Sequence, residues 1–332
     1  MTFAAQQPIG TGFGPRTTAA EVIAGIDLSG RTALVTGGYS GLGLETTRVL
    51  SGAGATVVVP ARTPEKARAA LAGLPNVEQA EIELTDPASI DRFAEGFLAS
   101  GRPLDILVDS AGIMASPLTR DGRGYEQQFS ANHLGHFQLA ARLWPALVAA
   151  NGARVVSVSS RGHRFAAVDF DDPNFATRAY DKWLAYGQSK TANVLFAVEL
   201  DRRAAGHAVR AFALHPGAII TDLARHLTDE DLARFGVVRR ADGSLDLTGF
   251  EANWVDAKTV EQGAATSVFA ATSPKLDGLG GLYLENCDVA GPASGPDMGR
   301  VGVEAWAVDP DAARRLWNLS ERLTGVSFPA GA

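Results

Sequence analysis

Apolar residues recur along this chain in two alternating rhythms. Short runs rich in Val, Ile and Leu occur at Thr32–Thr36, Thr56–Pro60, Val77–Leu84, Ile106–Asp109, Arg154–Val158, Val209–Leu214 and Gly281–Leu284. Between them, Leu44–Ser51, Pro64–Ala72, Ala88–Ala99, Tyr125–Ala150, Tyr186–Ala205 and Thr259–Ala271 carry apolar residues at helical spacing. Near-continuous apolar strands alternating with amphipathic helices predict an α/β doubly wound fold. Seven mostly parallel strands would form one sheet covered on both faces. No Pro/Ser-rich linker divides residues 30–332, so one domain is expected there. Residues 1–29 read as an extension, draped or frayed, with a short helix opened by Thr18 and Glu21 at capping-box spacing. The segment 225–256 breaks the rhythm. It is long, mixed and charged, and it leaves the carboxyl end of a strand, where open α/β sheets bind their ligands. It predicts a lid over the substrate, with a plain surface insertion as the alternative.

Composition narrows the class. Hydrophobic residues make up 46% and charged residues 20%, too apolar for a disordered chain. The formal charge of −7 with no basic block argues against nucleic acid or an anionic membrane as main partner. No run approaches the roughly 18 apolar residues a membrane span needs, and Met1 to Pro15 lacks the basic and apolar stretches of a signal peptide. Cys287 is the single cysteine, so no intrachain disulfide forms; a reducing, cytoplasmic setting and a buried packing role are expected. His133, His136 and His163 have no partners at ligand spacing, so no metal site is expected.

Candidate chemistry sits at two places. After the first strand, Thr36-Gly37-Gly38-Tyr39-Ser40-Gly41-Leu42-Gly43 opens a helix. Glycines at 37, 41 and 43 allow a tight turn and close approach of backbone to a pyrophosphate, which the free N–H groups of a helix start attract. Far downstream, Tyr186 and Lys190 lie four apart on a helix and so share a face. A cation beside a phenol favours the phenolate, which brings an ordinary pKa near ~10 toward the working range and makes a proton shuttle. Alone, such a pair is common on solvated helix faces; with the glycine turn it points to hydride chemistry.

The glycine turn and the Tyr-x-x-x-Lys pair together resemble the short-chain dehydrogenase/reductase superfamily, over about residues 30 to 290. Further stretches match it. Arg154-Val155-Val156-Ser157-Val158-Ser159-Ser160 resembles the strand that ends in the family's catalytic serine, which would be Ser160. Asn132, in Asn132-His133-Leu134-Gly135-His136-Phe137, resembles its helix asparagine. His215-Pro216-Gly217-Ala218-Ile219-Ile220-Thr221 resembles the loop that holds the nicotinamide carboxamide. The resemblance implies that Ser160, Tyr186, Lys190 and Asn132 are catalytic, with Asn132 holding a relay water beside Lys190. It implies cofactor contacts from Gly37, Tyr39, Ser40, Gly41, Leu42, Gly43, Arg62, Glu83, Leu84, Ser110, Ala111, Gly112, Tyr186, Lys190, Pro216, Gly217, Ile219 and Thr221.

The lead-in Thr18–Gly30 and the stretches Asp169–Asp172 and Ala185–Phe196 are similar to WW-domain oxidoreductases and retinol dehydrogenases. Neither a WW module nor a membrane anchor is seen. The family's Asn-Asn-Ala-Gly reads Asp109-Ser110-Ala111-Gly112, its adenine-contacting aspartate falls on Glu83, and Val168–Lys182 reads as an insertion that walls the pocket or obstructs the usual helix-helix dimer. At the end of the second strand, Ala61 stands where NAD enzymes place an acid, and Arg62 follows. A guanidinium pairs with a 2′-phosphate, so NADP(H) is preferred, with NAD(H) as the alternative. The expected activity is hydride transfer between nicotinamide and a small-molecule carbonyl or alcohol. Phe235, Val237, Val238 and Trp254 in the lid, with Phe165, Phe175 and Trp183 near the insertion, suggest a hydrophobic or aromatic substrate; packing of these loops against the core accounts for them equally well. A silent NADP(H)-binding sensor or scaffold and a sugar-nucleotide epimerase or dehydratase are the rival readings; monomer and homo-oligomer both stay open.

Overall fold

The structure is a computed structural model that describes residues 6–253, 257–293 and 301–328. The expected strands form β1 (Thr32–Val35), β2 (Thr56–Ala61), β3 (Val77–Glu81), β4 (Ile106–Asp109), β5 (Arg154–Val158) and β6 (Arg210–His215). A short antiparallel hairpin, β7 (Val238–Arg239) with β8 (Leu245–Asp246), lies apart from the sheet, followed by β9 (Leu282–Glu285) and β10 (Asp288–Val289). The main sheet runs β10-β9-β6-β5-β4-β1-β2-β3. Its strands are parallel except β10, so the sheet has eight strands rather than the seven expected. The eighth escaped the pattern because it is two residues long. It follows a turn at Asn286 and Cys287, both at positive φ (54° and 60°), without the usual glycine.

Helices fill both faces. In chain order they are α1 (Ala19–Ile23), α2 (Gly41–Gly52), α3 (Pro64–Leu71), α4 (Pro87–Ala99), α5 (Gln127–Phe129), α6 (Gly135–Ala149), α7 (Lys182–Arg203), α8 (Asp229–Arg234), α9 (Thr248–Asn253), α10 (Val260–Thr272) and α11 (Pro310–Thr324). One apolar core joins α4, α6, α7 and α11 to one face of the sheet; α1, α2, α3 and α10 cover the other. The Thr18–Glu21 capping box is present at α1. The extension is draped rather than frayed over its described part: Gln6 is buried and donates to the carbonyls of Tyr283 and Ala290 along β9 and β10.

Two helices differ most from their predicted bounds. The stretch expected as one helix from Tyr125 is interrupted between α5 and α6 by a widened turn, Ser130–Leu134, in which Gly135 N–H returns to the Ser130 carbonyl. α7 starts at Lys182, four residues before Tyr186, because Asp181 caps it by accepting from the N–H groups of Trp183 and Leu184. Every residue of α7 from Ala185 to Asp201 is buried. α11 packs along its outer side, where Trp317 stacks on Phe196 at 6.1 Å between centroids. Among the described residues no helix is long and apolar enough to cross a membrane.

Candidate active site

From β1 and β4, neighbours in the sheet, the chain runs outward in opposite directions, and their carboxyl ends open a cleft. Thr36, just past β1, ties the two sides together. Its Oγ1 accepts from the N–H groups of Ser110 (2.9 Å) and Ala111 (3.0 Å) and meets His136 Nε2 at 2.9 Å. A Cβ on Gly37 would stand 3.0 Å from Ala111 Cα, and one on Gly43 would strike the Gly37 carbonyl, so the turn onto α2 closes only with glycine at both. Ser40 makes no side-chain cap on α2, and Ser40, Gly41, Leu42 and Gly43 line the cleft. This uncapped helix start beside two side-chain-free positions fits the pyrophosphate of a dinucleotide.

The cleft holds about 530 Å³, within the range of small-molecule sites. Every expected cofactor residue lines it, from Gly37 through Arg62, Glu83, Leu84, Ser110, Ala111 and Gly112 to Pro216, Gly217, Ile219 and Thr221. At the mouth, Arg62 Nη1 lies 3.6 Å from Glu83 Oε2, and the Arg62 side chain is 63% exposed. Glu83 Oε1 also accepts from Thr85 N–H at 3.0 Å and Thr85 Oγ1 at 2.8 Å. Lys66, which the sequence reading missed, stands on the same rim 3.5 Å from Asp222; its signal was a second cation one turn after Arg62. Ser110 contributes its main-chain N–H to Thr36. Asp109, in the place of the family's first asparagine, is buried with neither carboxylate oxygen hydrogen-bonded among the described residues, and burial pushes its pKa well above the usual carboxylate range.

At the inner end, Ser160, Tyr186 and Lys190 meet. Ser160 Oγ accepts from Gly162 N–H at 3.0 Å and hydrogen-bonds the Tyr186 phenol. The fit is tight: a Cβ on Gly162 would stand 2.6 Å from Tyr186 Cε1, and one on Gly187 would stand 2.7 Å from Phe165 Cβ. Lys190 Nζ donates to the Val158 carbonyl at 3.0 Å and lies 5.7 Å from the Tyr186 ring centre. Burial pushes the Tyr186 pKa up to about 12, against a lowering bond from Ser160, and pushes Lys190 down to about 8. This is opposite to the lowered phenol expected from the pair alone, because both groups are fully desolvated and burial opposes charge on each.

Asn132 is the one expected site residue that does not line the cleft. It sits in the widened turn, where its Oδ1 accepts from Ile113 N–H (2.9 Å) and its Nδ2 donates to Ile113 O (3.0 Å) and Ser189 Oγ (2.9 Å). Its side chain thus clamps the loop after β4 onto α7, the helix of Tyr186 and Lys190. Its main-chain carbonyl lies 3.0 Å from His136 Nδ1.

The opposite wall is apolar. Phe165, Trp183 and Phe235 line it, with ring centres 5.8 Å and 5.7 Å apart in edge-to-face pairs. Behind it, Leu227, Leu232, Val237 and Phe250 of the segment after β6 form a small core with Ala115. Phe175, grouped with the wall in the sequence reading, is elsewhere: it is buried under Arg178 and against Tyr180. Residues 168–182 line none of the cleft and are tied instead to α7, where Gln188 donates to the Pro173 carbonyl and accepts from Arg178. Val238 is exposed on the hairpin, and Trp254 lies outside the described residues.

Residues 31–232 match the family model described as short chain dehydrogenase. The chain belongs to the short-chain dehydrogenase/reductase family. It is accordingly an NAD(P)-dependent oxidoreductase acting on CH–OH or C=O groups. A Streptomyces lividans protein named "Probable oxidoreductase" is 47% identical over 88% of this chain and 97% of its own. Human retinol dehydrogenase 12 is 34% identical over 91% of this chain and 89% of its own. The crystal structure of an uncharacterised Mycobacterium paratuberculosis protein superimposes with a TM-score of 0.71 at 34% identity, covering 95% of this chain and 99% of that one. Within the short-chain dehydrogenases, the retinol dehydrogenase and WW-domain oxidoreductase group is the one the sequence motifs pointed to.

Proposed function

We propose that this short-chain dehydrogenase is an NADP(H)-dependent reductase of apolar, aromatic ketones or aldehydes, or the dehydrogenase of the matching alcohols. The observation that carries the reading is the meeting of Ser160, Tyr186 and Lys190 at the junction of two halves of one cleft. One half is the glycine-lined helix start, and the other is the aromatic wall. When bound, the nicotinamide supplies or accepts the hydride. The chain's own part is to hold the substrate oxygen and move one proton. Ser160 Oγ–H donates to that oxygen as negative charge develops, a contribution of about 3 kcal/mol for a well-aimed donor. Tyr186 gives its proton to the alkoxide in reduction and takes one from the alcohol in oxidation. A phenol held protonated at neutral pH is the right starting state for the first direction, and the Lys190 charge favours the phenolate that remains. Asn132 keeps the loop after β4 and α7 at fixed separation.

Arg62 and Lys66 support the phosphorylated cofactor. Both are on the rim, neither faces an acid at the end of β2, where Ala61 stands, and their exposed ion pairs are weak enough for a 2′-phosphate to displace. Residues 225–256 act as a lid in this reading, since their described apolar side chains close the substrate end. Replacing Tyr186 by phenylalanine is expected to lower kcat for an aryl ketone by about 10³-fold while NADPH still binds. Full turnover by that variant would refute the assignment, and NADPH binding by the wild-type chain without turnover of any carbonyl would favour a sensor.

A further inference from the structure

Three side chains that face one cleft follow helical spacing along α7: Trp183, Tyr186 and Lys190. The first belongs to the aromatic wall. Its backbone is fixed by the Asp181 cap, at 2.8 Å from Trp183 N–H to Oδ1. Its ring stands edge-to-face between Phe165 and Phe235. Its indole Nε1–H is held by the segment behind the wall, 3.3 Å from Asp231 Oδ1 on α8. The other oxygen of that carboxylate pairs with Lys182, the residue just before Trp183, and accepts from Thr228 N–H (2.9 Å) and Thr228 Oγ1 (2.7 Å).

Asp231 is the odd member of its helix. On α8 only Asp231 and Leu232 are buried, while Asp229, Glu230 and Arg234 face solvent. Burial alone would raise its pKa, but the bonds from Lys182 and Thr228 outweigh it and hold the group at about 2, so the carboxylate stays charged across the working pH range. A buried carboxylate joining the start of the Tyr186 helix to the segment above it is more than a cap needs: Thr228 and Asp231 close the capping box between themselves.

We propose that Trp183 is the specificity-determining residue of the substrate cleft, selecting flat aromatic carbonyls, and that Asp231 is the positioning residue that sets its ring. This rests on the carbonyl-reductase reading above. The ring, flanked by Phe165 and Phe235, offers a flat face and two edges to an aryl group, whereas a short aliphatic ketone gains little from it. The indole bond to Asp231 removes the freedom the ring would otherwise have to turn out of the wall.

The test compares acetophenone with 2-butanone. Trp183→Leu is expected to lower the ratio of their kcat/KM values by about tenfold, the order that apolar pocket contacts deliver. Asp231→Ala is expected to lower the same ratio a few fold by raising KM for acetophenone, with kcat held within about twofold. In the Trp183→Leu background it should add almost nothing, as expected when both changes act through one ring. An unshifted ratio in Trp183→Leu overturns the specificity role; additive effects, or an Asp231→Ala loss equal for both ketones, overturn the positioning role. Asp231→Asn, which preserves an acceptor for the Thr228 cap, answers the same question should alanine disturb α8. Calorimetric binding of acetophenone to the NADP⁺-loaded chain separates the two failures. Binding that Trp183→Leu abolishes, without turnover in the wild type, sinks the reductase reading and keeps this inference. Turnover with an unshifted ratio, or binding that Trp183→Leu leaves intact, does the reverse.

Discussion

Asp109 closes β4 beside the cofactor turn, and its replacement by asparagine isolates one buried charge. Neither oxygen of the carboxylate has a hydrogen-bond partner among the described residues, and burial raises its pKa well above the usual value. An acid whose folded pKa is raised contributes no penalty below its unfolded pKa of about 3.9, and stability then falls as pH climbs toward the folded value. Over that window the folded chain holds a proton that the unfolded chain has lost, so stability declines by up to about 1.4 kcal/mol per pH unit. Asparagine carries no charge at any pH. Its own unpaired amide adds a penalty of about 1–3 kcal/mol that does not vary with pH, so the slope, not the offset, carries the information. Urea unfolding of both proteins at steps from about pH 5 to about pH 8 reads it through the midpoint shift. The difference in unfolding free energy should move in favour of Asp109→Asn at every step up to the folded pKa. Parallel curves would mean that Asp109 ionises freely in the folded chain and would refute the account.

Other expected outcomes follow from the same geometry. Arg62→Ala should lower the NADPH-to-NADH ratio of kcat/KM by about 10–100-fold, the worth of a charge-assisted contact to phosphate, as read from initial rates with each cofactor. Gly162→Ala would push a methyl to 2.6 Å from Tyr186 Cε1; displacing the phenol should cost about 10²-fold in kcat while thermal unfolding changes by no more than an overpacked core position requires, about 1–3 kcal/mol. Ketone reduction should decline as pH rises through about 8, because Lys190 then loses the charge that favours the Tyr186 phenolate, and Lys190→Arg should move that limb of the pH–rate profile upward.

The order of strands and helices was legible because β-branched runs and helical spacing are local properties of the chain, and the cofactor turn was legible because Gly37 and Gly43 admit no other residue. What escaped depends on contacts between distant residues. Nothing in Tyr186-Gly187-Gln188-Ser189-Lys190 announces that the helix is buried on all sides, so the direction of the Tyr186 pKa shift was misjudged. The start of α7 was hidden because its cap, Asp181, lies inside a stretch that reads as an insertion. Phe175 looked like pocket wall until Arg178 and Tyr180 closed over it. Asp231 carried no signal in the sequence, since only the fold brings it to Lys182 and Trp183. The strand β10 was too short to leave a pattern.

The support that Gln6 and Trp317 give to distant parts of the fold has a bearing on synthesis. Gln6 reaches the carbonyl of Ala290, 284 positions on, and Trp317 backs Phe196 on the helix that carries Tyr186 and Lys190. A ribosome emits residue 6 long before residues 290 and 317. While the central strands gather on the nascent chain, the edge beside β9 lacks its cover until Tyr283 to Ala290 have emerged, and α7 lacks its outer support until α11 has followed. Until then a nascent chain carries every active-site residue without the backing that Trp317 gives to α7.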